Sequence, residues 1–290
     1  MIFKRLAALV AAVFLFLMPA AQAAGIDGQA LAGTVPRLLT ATSDRNARCA
    51  ECSMGDAVAD AACRYLDADI AIVNGGDLKA NLQPGDITWD ALRNSFTEDR
   101  ELATAVVTVS QLREILEAGV SHIRLNEAER IDEAASLYDG FPQISGFTFQ
   151  YDASALPGER IYSIYVDDER LDPDDTRTFT LAATAFMLDG GYGMPAVDHA
   201  EPSGLTLSEV TARYMNDGMD DYLKTGSRIR TMGTTDGIIS ELPFGVIVLA
   251  IVIVSAFGRI GKVRRFNATG YYPGMENHAK RGRDDDWLSR

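Results

Sequence analysis

Two uncharged apolar runs, residues 6–18 and 242–257, bracket this chain and confine whatever folds as a body to the stretch between them. The first follows Lys4-Arg5 and ends in small residues, Ala21-Gln22-Ala23, which is the layout of a cleavable secretory signal. We expect a signal over 1–24, cut near Ala23 or Ala24, with an uncleaved anchor as the other reading. The second run carries no charge and is followed at once by Arg259, Lys262, Arg264 and Arg265. A membrane helix needs roughly 17 to 25 residues, so this run spans only with its flanks. The basic cluster behind it follows the positive-inside pattern. The expectation is one C-terminal transmembrane helix over 241–258, a cytoplasmic tail over 259–290 and an extracytoplasmic body, all at the cell membrane; a buried core helix is the alternative for that run.

The ends hold a net charge of +6, so a chain with a total of −14 leaves −20 on the body. Nucleic-acid binding is excluded on that balance, because such affinity rests on many Lys and Arg neutralising phosphates. A small anion still binds where a few cations and backbone N–H groups converge. About 215 residues remain between the apolar runs, enough for one large domain with an ample core, placed here at 25–236. Cys49, Cys52 and Cys63 allow one disulfide with a thiol left over, or three free thiols. Cys49-x-x-Cys52 lacks the second pair that a zinc site would need, and His122, His199 and His278 are scattered.

Along the body, helical and strand periods alternate. Ser53 precedes apolar Met54, Ala57, Val58, Ala61, Ala62, Tyr65 and Leu66, a capped amphipathic helix. Ile70-Ala71-Ile72-Val73 reads as a short strand ending at the Gly75-Gly76 turn. Residues 103–109 form a further strand, and a helix opened by Ser110 carries Leu112, Ile115, Leu116, Gly119 and Val120 on one face. The acidic, Ala-rich stretch 125–138 reads as a solvated helix or insertion and not as a ligand site. Phe147, Phe149 and Tyr151 alternate with polar residues, and 161–166 pairs with them antiparallel across Pro157-Gly158. Residues 178–184 form a third strand, and 202–229 a terminal helix. The fold class is therefore α+β, mixed sheets with flanking helices.

Asn74-Gly75-Gly76 at a strand end is where chemistry is expected. Glycines let backbone N–H groups approach an anion or a sugar, and Asn both donates and accepts. By itself such a run is more often just a turn. Its neighbours in sequence raise its specificity: Arg48-x-x-Glu51-Cys52-Ser53-Met54-Gly55-x4-Asp60 before it, and Phe141-Pro142-Gln143-Ile144-Ser145-Gly146 and Phe186-Met187-Leu188-Asp189-Gly190-Gly191-Tyr192-Gly193 after it. In that order, over residues 48–194, the segments resemble the C-terminal, substrate-binding domain of the 5′-nucleotidase family.

That resemblance implies a 5′-nucleotidase C-terminal-type fold and a substrate site formed by Arg48, Asn74, Gly75, Gly76, Lys79, Phe96, Phe186 and Tyr192. The cations would meet phosphate or ribose, Asn74 the nucleoside, and Phe96 and Phe186 the two faces of a base. The chain departs from the family pattern in four places: Asp77 replaces a third glycine, Lys79 an arginine, Ser95-Phe96-Thr97 the Pro-Phe-Gly segment around the first stacking ring, and Tyr192 the aspartate of a Gly-Gly-Asp-Gly loop. Read without the family, Arg48 and Glu51 form a structural ion pair, Lys79 pairs with Asp77, and both phenylalanines are core. No Asp-x-His, Gly-Asn-His-Asp, P-loop or Gly-x-Ser-x-Gly motif is present, so no catalytic residue and no metal ligand is assigned. Divalent metal would come only with a separately encoded metallophosphatase partner. The expected ligand is a nucleotide or a related phosphorylated small molecule. The alternative is a non-catalytic envelope scaffold whose pocket has decayed.

Overall fold

The computed structural model describes residues 27–43, 46–219 and 228–235. The stretches expected as signal, membrane helix and cytoplasmic tail lie outside the described residues, among which no helix is long and apolar enough to cross a membrane.

The body is organised around a five-stranded mixed sheet. Its strands are β2 (Ile70–Asn74), β4 (Glu101–Thr108), β5 (Pro142–Ser145), β9 (Thr178–Thr184) and β10 (Glu201–Thr206), in the spatial order β10-β4-β9-β2-β5. Only β2 and β9 run parallel; the other pairs are antiparallel. Successive side chains of a strand point to opposite faces, and here both faces are covered. Ile70 and Ile72 of β2 join one core, with Ala103, Ala105 and Val107 of β4 and Leu181 and Ala183 of β9. Ala71 and Val73 turn into a second core with Leu102 and Ala182. Burial on both faces is what makes β2 read as an unbroken apolar run.

The first core is closed by helix α3 (Val109–Val120) and by a four-stranded sheet. That sheet consists of β6 (Thr148–Asp152), β7 (Ile161–Val166), β8 (Glu169–Arg170) and β11 (Ile229–Met232), in the order β11-β6-β7-β8. Strands β6 and β7 pair antiparallel, Phe149 opposite Ile164, while β11 adds parallel to β6. The second core is closed by α1 (Ser53–Tyr65) and α6 (Leu207–Asn216), which pack on each other, and by α2 (Trp89–Asn94). A small ribbon, β1 (Leu31–Val35) with β3 (Gly85–Thr88), pairs antiparallel beside α6. Two single-turn helices complete the set, α4 (Glu133–Ser136) and α5 (Ala185–Leu188).

Helix starts differ from the sequence reading by one or two residues. Helix α1 is capped by Cys52, whose Sγ accepts from the Gly55 amide at 3.3 Å, while Ser53 Oγ accepts from Thr40 N at 2.8 Å. Helix α3 is opened by Thr108, which forms a reciprocal capping box with Gln111, and not by Ser110. A matching box, Thr206 with Glu209, opens α6. The stretch expected as one helix from 202 begins as β10 instead. Pro202 and Gly204 disfavour helix, and the edge of β4 supplies hydrogen-bond partners. Cys49, Cys52 and Cys63 are all free thiols. Burial, first of all, pushes the Cys49 and Cys52 thiols up to about 12, so neither is a ready thiolate.

Candidate functional site

Because β2 and β9 run parallel, their carboxyl ends open on the same edge of the sheet, and the turns that follow them meet there. After β2 comes the turn Gly75–Asp77; after β9 come α5, carrying Phe186, and the turn Gly191–Gly193. The lead-in to β4 brings Arg100, and the lead-in to β5 brings Tyr138, Asp139 and Gly140. All four segments converge.

The two glycines serve close approach of backbone to backbone. A Cβ on Gly75 would lie 2.0 Å from the Ala47 carbonyl oxygen, and one on Gly76 would lie 2.4 Å from Asp139 Cβ. Their amides do not face open solvent as expected from sequence. Gly75 N donates to Phe141 O at 2.7 Å and Gly76 N to Asp139 O at 2.8 Å. The glycine corner therefore ties β2 to the approach of β5, and its N–H groups are already engaged. Tyr138, the last residue of the stretch read as a solvated insertion, and Asp139 after it lie at this edge and are not among the expected site residues.

Asn74 is fully buried; Nδ2 donates to Gly140 O at 3.3 Å, and Oδ1 has no hydrogen-bond partner among the described residues. Arg48 pairs with Asp139, Nε to Oδ1 2.9 Å, and not with Glu51 as a local helix-start pair would have it. Both side chains are largely exposed, so this pair contributes little to stability. Lys79 is exposed, its backbone amide donating to Ser95 O. Phe96 is 2% exposed and packs in the second core beside Leu78, its bridge partner, so its ring presents no free face to a ligand. The bridge is part of a short ladder, with Lys79 N donating to Ser95 O and Thr97 N to Asp77 O, which binds the segment after α2 to the turn.

Phe186, by contrast, is 36% exposed. Tyr192 meets it edge-on, centroids 4.9 Å apart at 81°, and Arg100 Cζ lies 3.7 Å from its centroid. Arg100 Nε is also 2.9 Å from Asp77 Oδ1, and Tyr192 Oη donates to that same oxygen at 3.0 Å. The departures at 77 and 192 are thus one hydrogen-bonded unit, completed by an arginine that carries no recognisable motif. Tyr192 adopts φ 56°, a left-handed conformation uncommon for a side chain of that size. Tyr138 Oη holds it there by donating to the Tyr192 carbonyl at 2.6 Å, and the Tyr138 ring is itself stacked on His122 at 4.0 Å.

Asp77 is fully buried, and its Oδ2 lacks a hydrogen-bond partner among the described residues. Burial raises its carboxyl to about 6, against the opposing pull of the Tyr192 hydroxyl and Arg100, with Glu98 adding to the rise. A folded-state pKa above the unfolded value means that the group favours folding below about pH 4 and loses that contribution as pH climbs through 6. Asp77→Asn, which keeps the neutral shape, is therefore expected to gain about 2 kcal/mol relative to wild type between pH 4 and pH 7. Urea unfolding of both proteins at the two pH values checks this. A change of opposite sign would mean that the Arg100 pair outweighs desolvation.

Three surface concavities lie away from this edge. One of about 490 Å³ sits between α1 and α6, lined by Tyr65, Trp89, Arg213 and Asp217. Two others adjoin Asp60 and Ser145. Convergent polar groups, not volume, mark the edge where β2 and β9 end, with Arg100 over one face of the Phe186 ring. Among the described residues no group of three or more His, Cys, Asp or Glu could hold a metal ion.

A family model described as the 5′-nucleotidase, C-terminal domain matches residues 30–199. Among curated proteins, the trifunctional nucleotide phosphoesterase protein YfkN of Bacillus subtilis (strain 168) is 27% identical over 175 residues, which is 56% of this chain and 11% of that protein. Among solved structures, a 5′-nucleotidase precursor from Thermus thermophilus superposes with a TM-score of 0.58 at 21% identity, covering 80% of this chain and 43% of that one. The NAD nucleotidase NadN of Haemophilus influenzae gives 0.52 at 16%, covering 71% and 39%. The chain thus spans about a tenth of the Bacillus relative and less than half of these structural neighbours. At these identities the structural likeness is one of fold.

Proposed function

The chain belongs to the 5′-nucleotidase C-terminal domain family, and from that premise we propose that it binds a nucleotide or a related phosphorylated small molecule at the edge where β2 and β9 end. The observation that carries this reading is the convergence of Phe186, Tyr192, Arg48 and Asn74 from distant segments onto one edge. Two fully buried acceptors there, Asn74 Oδ1 and Asp77 Oδ2, lack donors among the described residues. Buried polar atoms are rarely left unpaired, and sites that recognise hydroxyl-bearing ligands present such acceptors. Arg48 and exposed Lys79 supply positive charge at the rim, Phe186 a stacking surface.

In this reading the protein is exported and anchored by its C-terminal run. It takes part in nucleotide hydrolysis only with a separately encoded two-metal phosphatase, which would polarise the phosphoryl group and generate hydroxide. The chain's own residues bind and orient. Phe186 supports the base, Asn74 and Asp77 accept from ligand hydroxyls, and Arg48 meets the anion.

Calorimetric titration of the purified full chain with adenosine monophosphate tests this. Binding is expected for wild type, and Phe186→Ala should weaken it about tenfold or more, since base stacking on an aromatic ring is worth roughly 1 to 3 kcal/mol. No heat at millimolar ligand would remove the reading and leave the envelope scaffold.

A further inference from the structure

We infer that Arg100 determines which ligands reach the Phe186 ring: its guanidinium is a built-in occupant of the ring face, and a planar ligand stacks there only by displacing it. The inference rests on the nucleotide-binding reading of this site and adds the residue that guards it.

Several contacts fix the occupant. Arg100 Cζ lies 3.7 Å from the Phe186 centroid, the separation of two flat groups in contact and the place a stacked ring would take. Nε is 2.9 Å from Asp77 Oδ1, and Nη1 is 2.9 Å from Glu98 Oε2. With two carboxylates on its edge and a ring on its face, the side chain is only 14% exposed. A long arginine side chain costs entropy to hold in one geometry, and this one is held by three partners at once. Gly191, where a Cβ would come within 2.3 Å of two ring carbons, and Tyr192 flank the ring, which is 36% exposed. Phe96, being buried, does not compete for the position.

The consequence is selectivity. A neutral ring that enters must separate the guanidinium from both carboxylates and offers it nothing in return. A ligand with an anionic group gives the displaced guanidinium a new charge-assisted partner. The site therefore favours a planar ring that carries an anion over the same ring without one. A guard that is closed in about nine molecules of ten lowers the apparent affinity of a competing ligand about tenfold.

The test compares adenosine with adenosine monophosphate on the full chain in wild type, Arg100→Ala and Arg100→Gln. The glutamine keeps a hydrogen-bond donor toward the buried Asp77 carboxylate while removing the guanidinium from the ring, so that a folded variant remains if alanine unfolds the protein. Adenosine is expected to bind about tenfold more tightly to the variants than to wild type, and the preference for the monophosphate is expected to shrink by a similar factor. Adenosine binding that is unchanged or weaker in a folded variant overturns the inference. Failure of wild type to bind the monophosphate overturns the nucleotide reading, whatever the variants do with adenosine.

Discussion

Replacing Arg228 by alanine is expected to lower the unfolding free energy by about 3 to 5 kcal/mol, the range seen when one partner of a buried ion pair is removed. The residue stands at the start of β11, the last described strand, and ties it to α1. Its guanidinium is bidentate on Asp60, Nη1 to Oδ1 2.7 Å and Nη2 to Oδ2 2.9 Å, donates to the Ile144 carbonyl at 2.7 Å, and lies 3.7 Å from Asp56 Oδ1. The backbone joins in: the amides of Arg228 and Ile229 both donate to Glu51 Oε2, at 3.0 and 2.8 Å. The Arg228 side chain is 17% exposed and Asp56 is fully buried. Without the cation, several carboxylates share a low-dielectric site. Lysine at 228 keeps the charge but not the planar fork, so it should recover only part of the loss. Denaturant unfolding gives the free energies, and hydrogen exchange should show β11 opening first, since among the described strands it pairs with β6 alone. A loss below about 1 kcal/mol would place Arg228 among ordinary surface ion pairs.

This cluster also shows how much could be seen without coordinates. The apolar periods of residues 54–66 and 112–120 and the alternation at 147–151 correspond to α1, α3 and β6, because those patterns follow directly from which face is buried. Strand β10 did not show itself, since its identity comes from pairing with β4 and not from its own composition. Motif spacing singled out residues 74–79 and 186–193, the segments that follow β2 and β9 at one edge of the sheet. It could not show that Asp77 and Tyr192, 115 residues apart and each odd in its own motif, share a hydrogen bond. Nor could it show that Arg100 lies over Phe186, because a single arginine before a strand has no period and no motif. Aromatic rings pose a related difficulty. Phe96 and Phe186 are the same residue type near the same site, and only the Leu78–Phe96 bridge decides that one ring is core and the other half exposed.

Gln143 fastens the loop that carries Arg48 on both sides of it, and Gln143→Ala is expected to cost about 3 to 5 kcal/mol, because each buried polar group left unpaired costs roughly 1 to 3. The side chain is fully buried on β5 and acts as an inserted peptide group. Oε1 accepts from Cys52 N at 3.0 Å, and Nε2 donates to Ala47 O at 2.9 Å and Ala50 O at 2.8 Å. One amide thus holds the loop that carries Arg48 and the cap of α1. Gly55 is glycine for the same reason, as a Cβ there would meet Gln143 Oε1 at 2.3 Å. Truncation orphans one N–H and two carbonyls and frees the loop, so thermal stability and affinity for adenosine monophosphate should fall together. Glutamate separates this account from a simple cavity. It fills the same volume, but turns an acceptor toward the Ala47 and Ala50 carbonyls, where two acceptors already converge. If hydrogen bonding governs the site, Gln143→Glu is at least as destabilising as Gln143→Ala in denaturant unfolding at neutral pH. If packing volume governs it, the glutamate variant is close to wild type, and the amide's hold on the Arg48 loop is refuted.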